Sequence, residues 1–393
     1  MENAQMISVA EADRLLGQIT MNARVAQVAA AQAVGRILAE PIAADRALPA
    51  ASVVRMDGIA LRAEFAEHAL TIVGAVGAGE VPPALPKGNV CLEIMTGAIL
   101  PSGADCVVPV ENISRAGDTV QITEPCAVGD CIHPGGADYS AGDRLLSPGQ
   151  QLRSSQFAVL ASTGVTQVSV AAPRIAVLAS GNELVALEAT PALHQLRQSN
   201  GSAIQALAWS HGFPNVSVEV VPDDQTIMRQ CIETALQTAD LVVLSGGVSK
   251  GKYDYVPEVL AELSVERLFH GVLQRPGKPM WAGWHSQNSA AVLGLPGNPV
   301  SAVTAFRRYG IPLLDSAFQR QPRQLPVALA EAAEFVSALT CFLPVRLSPQ
   351  GAVQVRLSNS GDWAGFGAAD GFVQLPAVET TFAAGRAVDY YGL

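Results

Sequence analysis

From residue 173 onward the chain alternates short apolar runs with helical stretches, and that alternation narrows its fold more than any other feature. The runs at 174–179, 216–221, 241–245 and 290–295 read as buried strands. Between them 203–211, 226–238 and 256–263 read as helices, and a further helix starts at Pro299. Strands alternating with helices predict a doubly wound, mainly parallel sheet, with ligands bound at the strands' carboxyl ends. Glycine-rich phrases stand at those ends: Ser180-Gly181-Asn182-Glu183, Ser245-Gly246-Gly247 and Pro296-Gly297-Asn298-Pro299-Val300-Ser301.

The flanking segments differ in character. Ser8-Val-Ala-Glu11 reads as a capping box, in which the serine takes the N–H three residues on and the glutamate reaches back. Between 48 and 136, short apolar runs at 71–76, 90–94 and 106–110 are broken by Gly and Pro, the rhythm of a small all-β module. A helix is expected at 154–162 and a strand at 165–170. The expected organisation is therefore a discontinuous N-terminal domain (1–47 with 137–170) interrupted by the β module at 48–136. An α/β domain at 171–320 and a small C-terminal β domain at 326–393 follow, the latter with strand-like pieces at 342–347, 353–357 and 372–375.

Bulk properties exclude several classes. A formal net charge of −10 argues against a general nucleic-acid binder, which needs a basic surface. No uninterrupted apolar run of about 18 residues occurs, so no membrane span is expected. The first residues lack the basic and apolar regions of a signal peptide, so a cytoplasmic protein is expected. Of the six cysteines only Cys126 and Cys131 are close, and no second pair completes a zinc set. Reduced, mostly buried thiols are the expectation.

The chemistry-bearing residues favour anions. Three of only four lysines (Lys250, Lys252, Lys278) fall between 241 and 301. Glu183 offers a carboxylate at one strand end and Asp254 another after Gly246-Gly247; Mg²⁺ takes one or two carboxylates plus phosphate oxygens. Successive N–H groups in the glycine pair can form an anion nest. Arg275-Pro-Gly-Lys278 holds a planar fork and a point charge on one stiff loop. Asn298 and Pro299 suit the N-cap and first turn of a helix. Each phrase alone also suits an ordinary turn, cap or solvated surface. Asp57, Thr96 and Asp138, beside glycines in or near the β module, are quiet by themselves.

Together these phrases resemble one family, the molybdopterin molybdenumtransferases of MoeA type, which include the gephyrin E-domain. The resemblance is carried by MDGIA (56–60), IMTGAILPSGADCVVPVE (94–111), GADYSAGD (136–143), LASGNELV (178–185), RQSN (197–200), PDD (222–224), SGGVSKGKYDY (245–255), RPGKP (275–279) and LPGNPVSAV (295–303). It implies Mg²⁺-dependent hydrolysis of adenylylated molybdopterin, transfer of molybdate onto the dithiolene, and release of AMP. By resemblance, Ser180, Gly181, Asn182, Asn200, Asp223, Ser245, Gly246, Gly247, Pro296, Gly297, Asn298, Pro299 and Ser301 would surround nucleotide and phosphate. Glu183 and Asp254 would hold Mg²⁺. Arg275 and Lys278 would attract molybdate, and Asp57, Thr96 and Asp138 would act on the pterin side. The family implies a homodimer whose site is shared between subunits, and a pterin adenylyltransferase as a partner.

The chain departs from the family pattern at four places. Val53-Val54-Arg55 replaces asparagine-serine-alanine, and Ile59 replaces tyrosine. Arg275 replaces lysine, and Trp363-Ala364-Gly365 follows Ser360-Gly361-Asp362 where an arginine-serine pair is usual. A weaker C-terminal contribution to oxyanion docking is the expected result. The alternatives are a scaffold that keeps the fold without catalysis, and a pterin adenylyltransferase or nucleotide hydrolase that uses the sheet domain alone.

Overall fold

The computed structural model describes residues 6–248, 255–320, 325–335 and 338–393. They divide into two compact units, one of Met1–Glu40, Ser147–Ala158 and Val165–Leu393, the other of Pro41–Leu146 and Val159–Gly164. The chain leaves the first unit after Glu40 and rejoins it at Ser147, so the β module is an insertion.

In the first unit, helix α1 (Val9–Leu16) is capped by Ser8, whose Oγ accepts the Glu11 N–H at 3.1 Å. The second half of the expected capping box does not form. Glu11 accepts two bonds of 2.9 and 2.7 Å from Arg14 instead. A guanidinium one turn on is a charge-assisted donor, whereas the Ser8 N–H is a neutral one.

The main sheet comprises β1 (Ile175–Ser180), β2 (Val216–Val221), β3 (Leu241–Ser245), β4 (Glu266–His270), β5 (Trp281–His285) and β6 (Ala290–Leu295), in the order β2-β1-β3-β6-β5-β4. The first four in that order run parallel, while β5 and β4 add an antiparallel edge. The sequence pattern did not reveal β4 and β5, because ERLFH is mostly polar and WAGWH contains no β-branched residue. Helices α2 (Asn200–Ser210), α3 (Gln225–Thr238), α4 (Val256–Glu262) and α5 (Pro299–Ala305) cover the sheet.

Burial explains why β3 reads LVVLS. Leu241 and Val243 pack in one core with Ile204, Leu207 and Val300, while Val242 and Leu244 pack in another with Met228, Ile232 and Val259. Both faces are thus covered, and the strand is apolar without alternation. Each such side chain stabilises the fold by about 1.5–3 kcal/mol relative to exposure.

The C-terminal residues build a small sheet from Pro326–Ala328, Thr340–Ser348, Gly371–Leu375 and Ala387–Gly392, with Gly351–Gln354 paired to Thr340–Ser348. The strand expected at 353–357 therefore begins and ends earlier, as the return arm of a hairpin. One edge of this sheet is borrowed: Gln274–Arg275 pairs parallel with Thr340–Cys341.

The second unit holds a six-stranded sheet ordered Cys106–Pro109, Gly58–Leu61, Val90–Ile94, Leu70–Val76, Thr119–Ile122, Ile113–Ala116. Gly58 follows Asp57 where the backbone of a neighbouring strand comes close: a Cβ there would lie 2.0 Å from the Val108 carbonyl oxygen. Among the described residues no helix is long and apolar enough to cross a membrane.

Candidate functional site at the strand ends

Parallel register brings the glycine phrases to one edge. Ala179 pairs with Ser245, and Ser245 with Leu295, so β1, β3 and β6 end together. The Gly246 N–H donates to the Leu295 carbonyl at 3.1 Å. Gly246 and Gly247 have φ of +99° and +68°, and a Cβ on them would lie 2.9 and 3.1 Å from Ser180 Oγ. Only glycine fits both the conformation and the approach. Ser180 Oγ is buried there without a hydrogen-bond partner among the described residues.

Asn200, in the first turn of α2, ties two of these ends together. Its Nδ2 donates to Ser245 Oγ at 2.9 Å and to the Gly297 carbonyl at 2.8 Å. Gly297 in turn stands against Gly246, since a Cβ on it would lie 3.7 Å from the Gly246 Cα. Asn182 and Asp223 exchange bonds: the Asn182 N–H donates to Asp223 Oδ2 at 3.2 Å, and the Asp223 N–H to Asn182 Oδ1 at 3.1 Å. The second aspartate of that phrase, Asp224, caps α3 by accepting the Ile227 N–H. Glu183 is exposed beside Gly181, where a Cβ would lie 2.6 Å from its Oε2. Asp254, with Lys250 and Lys252, lies outside the described residues.

The start of α5 departs from expectation. Asn298 occupies the N-cap position, but its side chain makes no capping bond. The Val300 N–H it would serve donates instead to the Ser360 carbonyl at 3.1 Å. Pro296 and Pro299 flank this turn, and Ser301 is buried at 4% exposure. Next to it, Gly277 (φ +87°) would place a Cβ 3.7 Å from the Ser301 carbonyl oxygen and 2.8 Å from Gln274 Nε2. The RPGK loop therefore leans on the first turn of α5. Gln274 is fully buried and accepts the Tyr309 hydroxyl. Arg275 and Lys278 are exposed, and neither meets a carboxylate among the described residues. The Arg275 guanidinium lies 5.9 Å from the Phe335 ring centre.

Two residues from the stretch that departs from the family pattern, Asp362 and Trp363, complete this corner. Trp363 Nε1 donates to Ser199 Oγ at 2.9 Å, beside Asn200. Asp362 caps the short turn Trp363–Phe366 by accepting the Gly365 N–H at 2.8 Å. No local pattern could have announced a contact between residues 199 and 363.

In the second unit, Thr96 donates through both its N–H and its Oγ1 to Asp57 Oδ1, each at 2.7 Å. These bonds lower the Asp57 carboxyl below its ordinary range, with the backbone bond the larger cause. Asp138 is held by His133 Nε2 at 2.9 Å, another contact the sequence did not announce. No hydrogen bond joins the Asp57–Thr96 pair to the His133–Asp138 pair among the described residues.

With this geometry in view, comparison with known proteins is decisive. Residues 7–164 match the family model for the MoeA N-terminal region (domain I and II), and residues 176–316 that for a probable molybdopterin binding domain. A molybdopterin molybdenumtransferase of Synechocystis sp. is 37% identical over 368 residues, covering 91% of this chain and 92% of its own. The chain belongs to the MoeA family. A second molybdopterin molybdenumtransferase, from Staphylococcus epidermidis, is 30% identical over 99% of this chain and 96% of its own. A crystal structure of a molybdopterin biosynthesis MoeA protein from Pyrococcus horikosii superposes with a TM-score of 0.83 at 30% identity, covering 99% of both chains.

For a MoeA-type chain, Mg²⁺ is the group to test against these residues. Among the described residues no three of His, Cys, Asp or Glu cluster. Mg²⁺ does not need such a cluster, because it binds through one or two carboxylates with phosphate oxygens and water. Glu183 supplies one carboxylate at the edge where the buried, unpartnered Ser180 Oγ is enclosed by glycines. Hard oxygen donors of this kind fit the ion.

Proposed function

We propose that the chain is a molybdenum insertase of molybdenum cofactor biosynthesis: it hydrolyses adenylylated molybdopterin and couples this to transfer of molybdate onto the dithiolene, releasing AMP. The observation that carries the reading is the enclosure of Ser180 Oγ by Gly246 and Gly247, locked to Gly297 through Asn200, in a chain of this family. A buried hydroxyl without a partner is costly, and an oxyanion is the partner such a glycine cradle suits.

In this reading the Gly247 N–H and Ser180 Oγ bind phosphate oxygens, the Gly246 N–H being engaged by the Leu295 carbonyl, and Asn200 keeps the strand ends in register. Asn182 and Asp223 brace one another beside them, so Glu183 projects from a rigid turn. Mg²⁺, held by Glu183 and Asp254, would offset charge on the scissile phosphates. Arg275 and Lys278 attract molybdate, an oxyanion that a guanidinium fork and an ammonium both favour. Asp57, kept ionised by Thr96, and Asp138, oriented by His133, act on the pterin side. The chain works as a homodimer in which both subunits contribute to each site, and a pterin adenylyltransferase is the class of enzyme that supplies its substrate.

The test is AMP release from adenylylated molybdopterin with Mg²⁺, with and without molybdate. Molybdate-coupled release with metal-loaded product is expected, and Lys278→Ala should raise the molybdate requirement while leaving nucleotide affinity unchanged. Release indifferent to molybdate would reduce the protein to a nucleotide hydrolase. No release from folded protein would leave a scaffold.

A further inference from the structure

A cavity of about 700 Å³ opens in the first unit, away from the strand carboxyl ends. Its wall includes His211, which follows the last residue of α2, while Asn200 at the opposite end of that helix serves the site described above. The eleven residues of α2 separate the two places by roughly 16 Å at 1.5 Å per residue. The volume falls within the range of about 300–1,000 Å³ typical of small-molecule sites.

Four guanidiniums line this cavity, and among the described residues two of them form ion pairs. Arg308 forms a bidentate pair with Asp13, both bonds 2.7 Å, and Arg320 pairs with Asp315 at 3.0 Å. Arg307 meets no carboxylate among the described residues. Its Nε donates to the Gly392 carbonyl at 2.5 Å, and its guanidinium lies 5.7 Å from the Tyr391 ring centre. Arg153, also in the wall, reaches the neutral Gln151 Oε1 at 3.5 Å and meets no carboxylate among the described residues. Desolvation lowers the Arg307 pKa, outweighing the attraction of the nearby Asp315 carboxylate. His211, also made harder to protonate by burial and by Arg307, adds no negative charge. A partly buried guanidinium is destabilising unless an anion meets it, and its planar fork suits carboxylate and phosphate alike.

We propose that this cavity is a second ligand site, separate from the strand-end site, that binds a small organic dianion through Arg307 and Arg153. The carboxylate and phosphate forms of such a ligand share one recognition chemistry. Succinate and glycerol 3-phosphate, both organic dianions, are the probes that separate them.

Each probe is titrated calorimetrically into the full chain at low ionic strength, where screening is weakest. Saturable binding of one probe is expected, weakened at least tenfold by Arg307→Gln and by Arg153→Gln and unchanged by Lys278→Gln. Arg153 is exposed, so its variant tests the site even if Arg307→Gln fails to fold. Binding lost in Lys278→Gln but kept in the two cavity variants would put the anion at the strand ends and overturn the proposal. Absence of saturable binding by either probe would overturn it as well. So would a shift in self-association, read by sedimentation, in the cavity variants without any change in anion binding: a second copy would then be what covers the cavity. None of these outcomes depends on AMP release, so the two readings stand or fall separately.

Discussion

At the scale of single residues, the protein stores pH sensitivity in groups that its proposed chemistry does not use. His211 is partly buried near Arg307, and desolvation, with that guanidinium second, pulls its imidazole down to about 4 from an ordinary 6.5. The unfolded chain then takes up a proton near pH 6.5, whereas the folded chain resists until about pH 4. The stability His211 contributes is complete above pH 6.5 and is lost as pH falls through that window, by about 2 kcal/mol at pH 5. Asp315 acts in the opposite sense, because burial pushes its carboxyl up to about 6 against the attraction of Arg320. Its contribution is present at low pH and lost as pH rises through 6. His211→Gln should therefore narrow the loss of thermal stability between pH 7.5 and pH 5 relative to the parent chain. An unchanged difference in melting temperature would mean His211 is not what the acid limb reports.

At the scale of elements, the decisive feature is the two-residue strand Gln274–Arg275, which begins the RPGK loop and edges the C-terminal sheet. The Thr340 N–H donates to the Leu273 carbonyl at 3.0 Å just beside it. Thr340→Pro removes that donor and should loosen the loop. The expected outcome is a several-fold higher molybdate requirement with nucleotide affinity nearly unchanged, measured by AMP release and by nucleotide titration. Equal weakening of both would mean that the C-terminal sheet supports the whole strand-end site. This element was invisible in the sequence for a physical reason: its partner lies far along the chain, and two residues carry no periodicity. β3 and β6 were legible because both faces are covered and every position but Ser245 is apolar. The glycine phrases were legible because their geometry is local, set by φ at Gly246 and Gly247. The links from Ser199 to Trp363 and from His133 to Asp138 were not, since each depends on where the fold brings two otherwise ordinary side chains. Asn298 shows the converse, a local signal for a cap that a distant carbonyl, Ser360, overrides.

At the scale of the whole molecule, one chain of 40.9 kDa builds two compact units, the second inserted between Glu40 and Ser147 of the first. The homodimer proposed here predicts a solution mass of twice that value by light scattering, insensitive to Asp57→Asn. A monomer active in AMP release would remove the shared site from the proposal. The interruption also separates the Asp57 and Asp138 groups from the strand-end groups along the chain, so variants of the two sets should add independently unless they meet on one ligand. The borrowed strand has a further consequence for modularity. Residues 326–393 look like a detachable domain, yet their sheet is completed by a segment belonging to the loop between β4 and β5. A graft that exchanged only those residues between relatives would import a sheet with an open edge and leave the recipient's loop without its splint. Inheritance of the C-terminal domain and of the RPGK loop is thereby coupled, and a chimera that respects the fold must carry both.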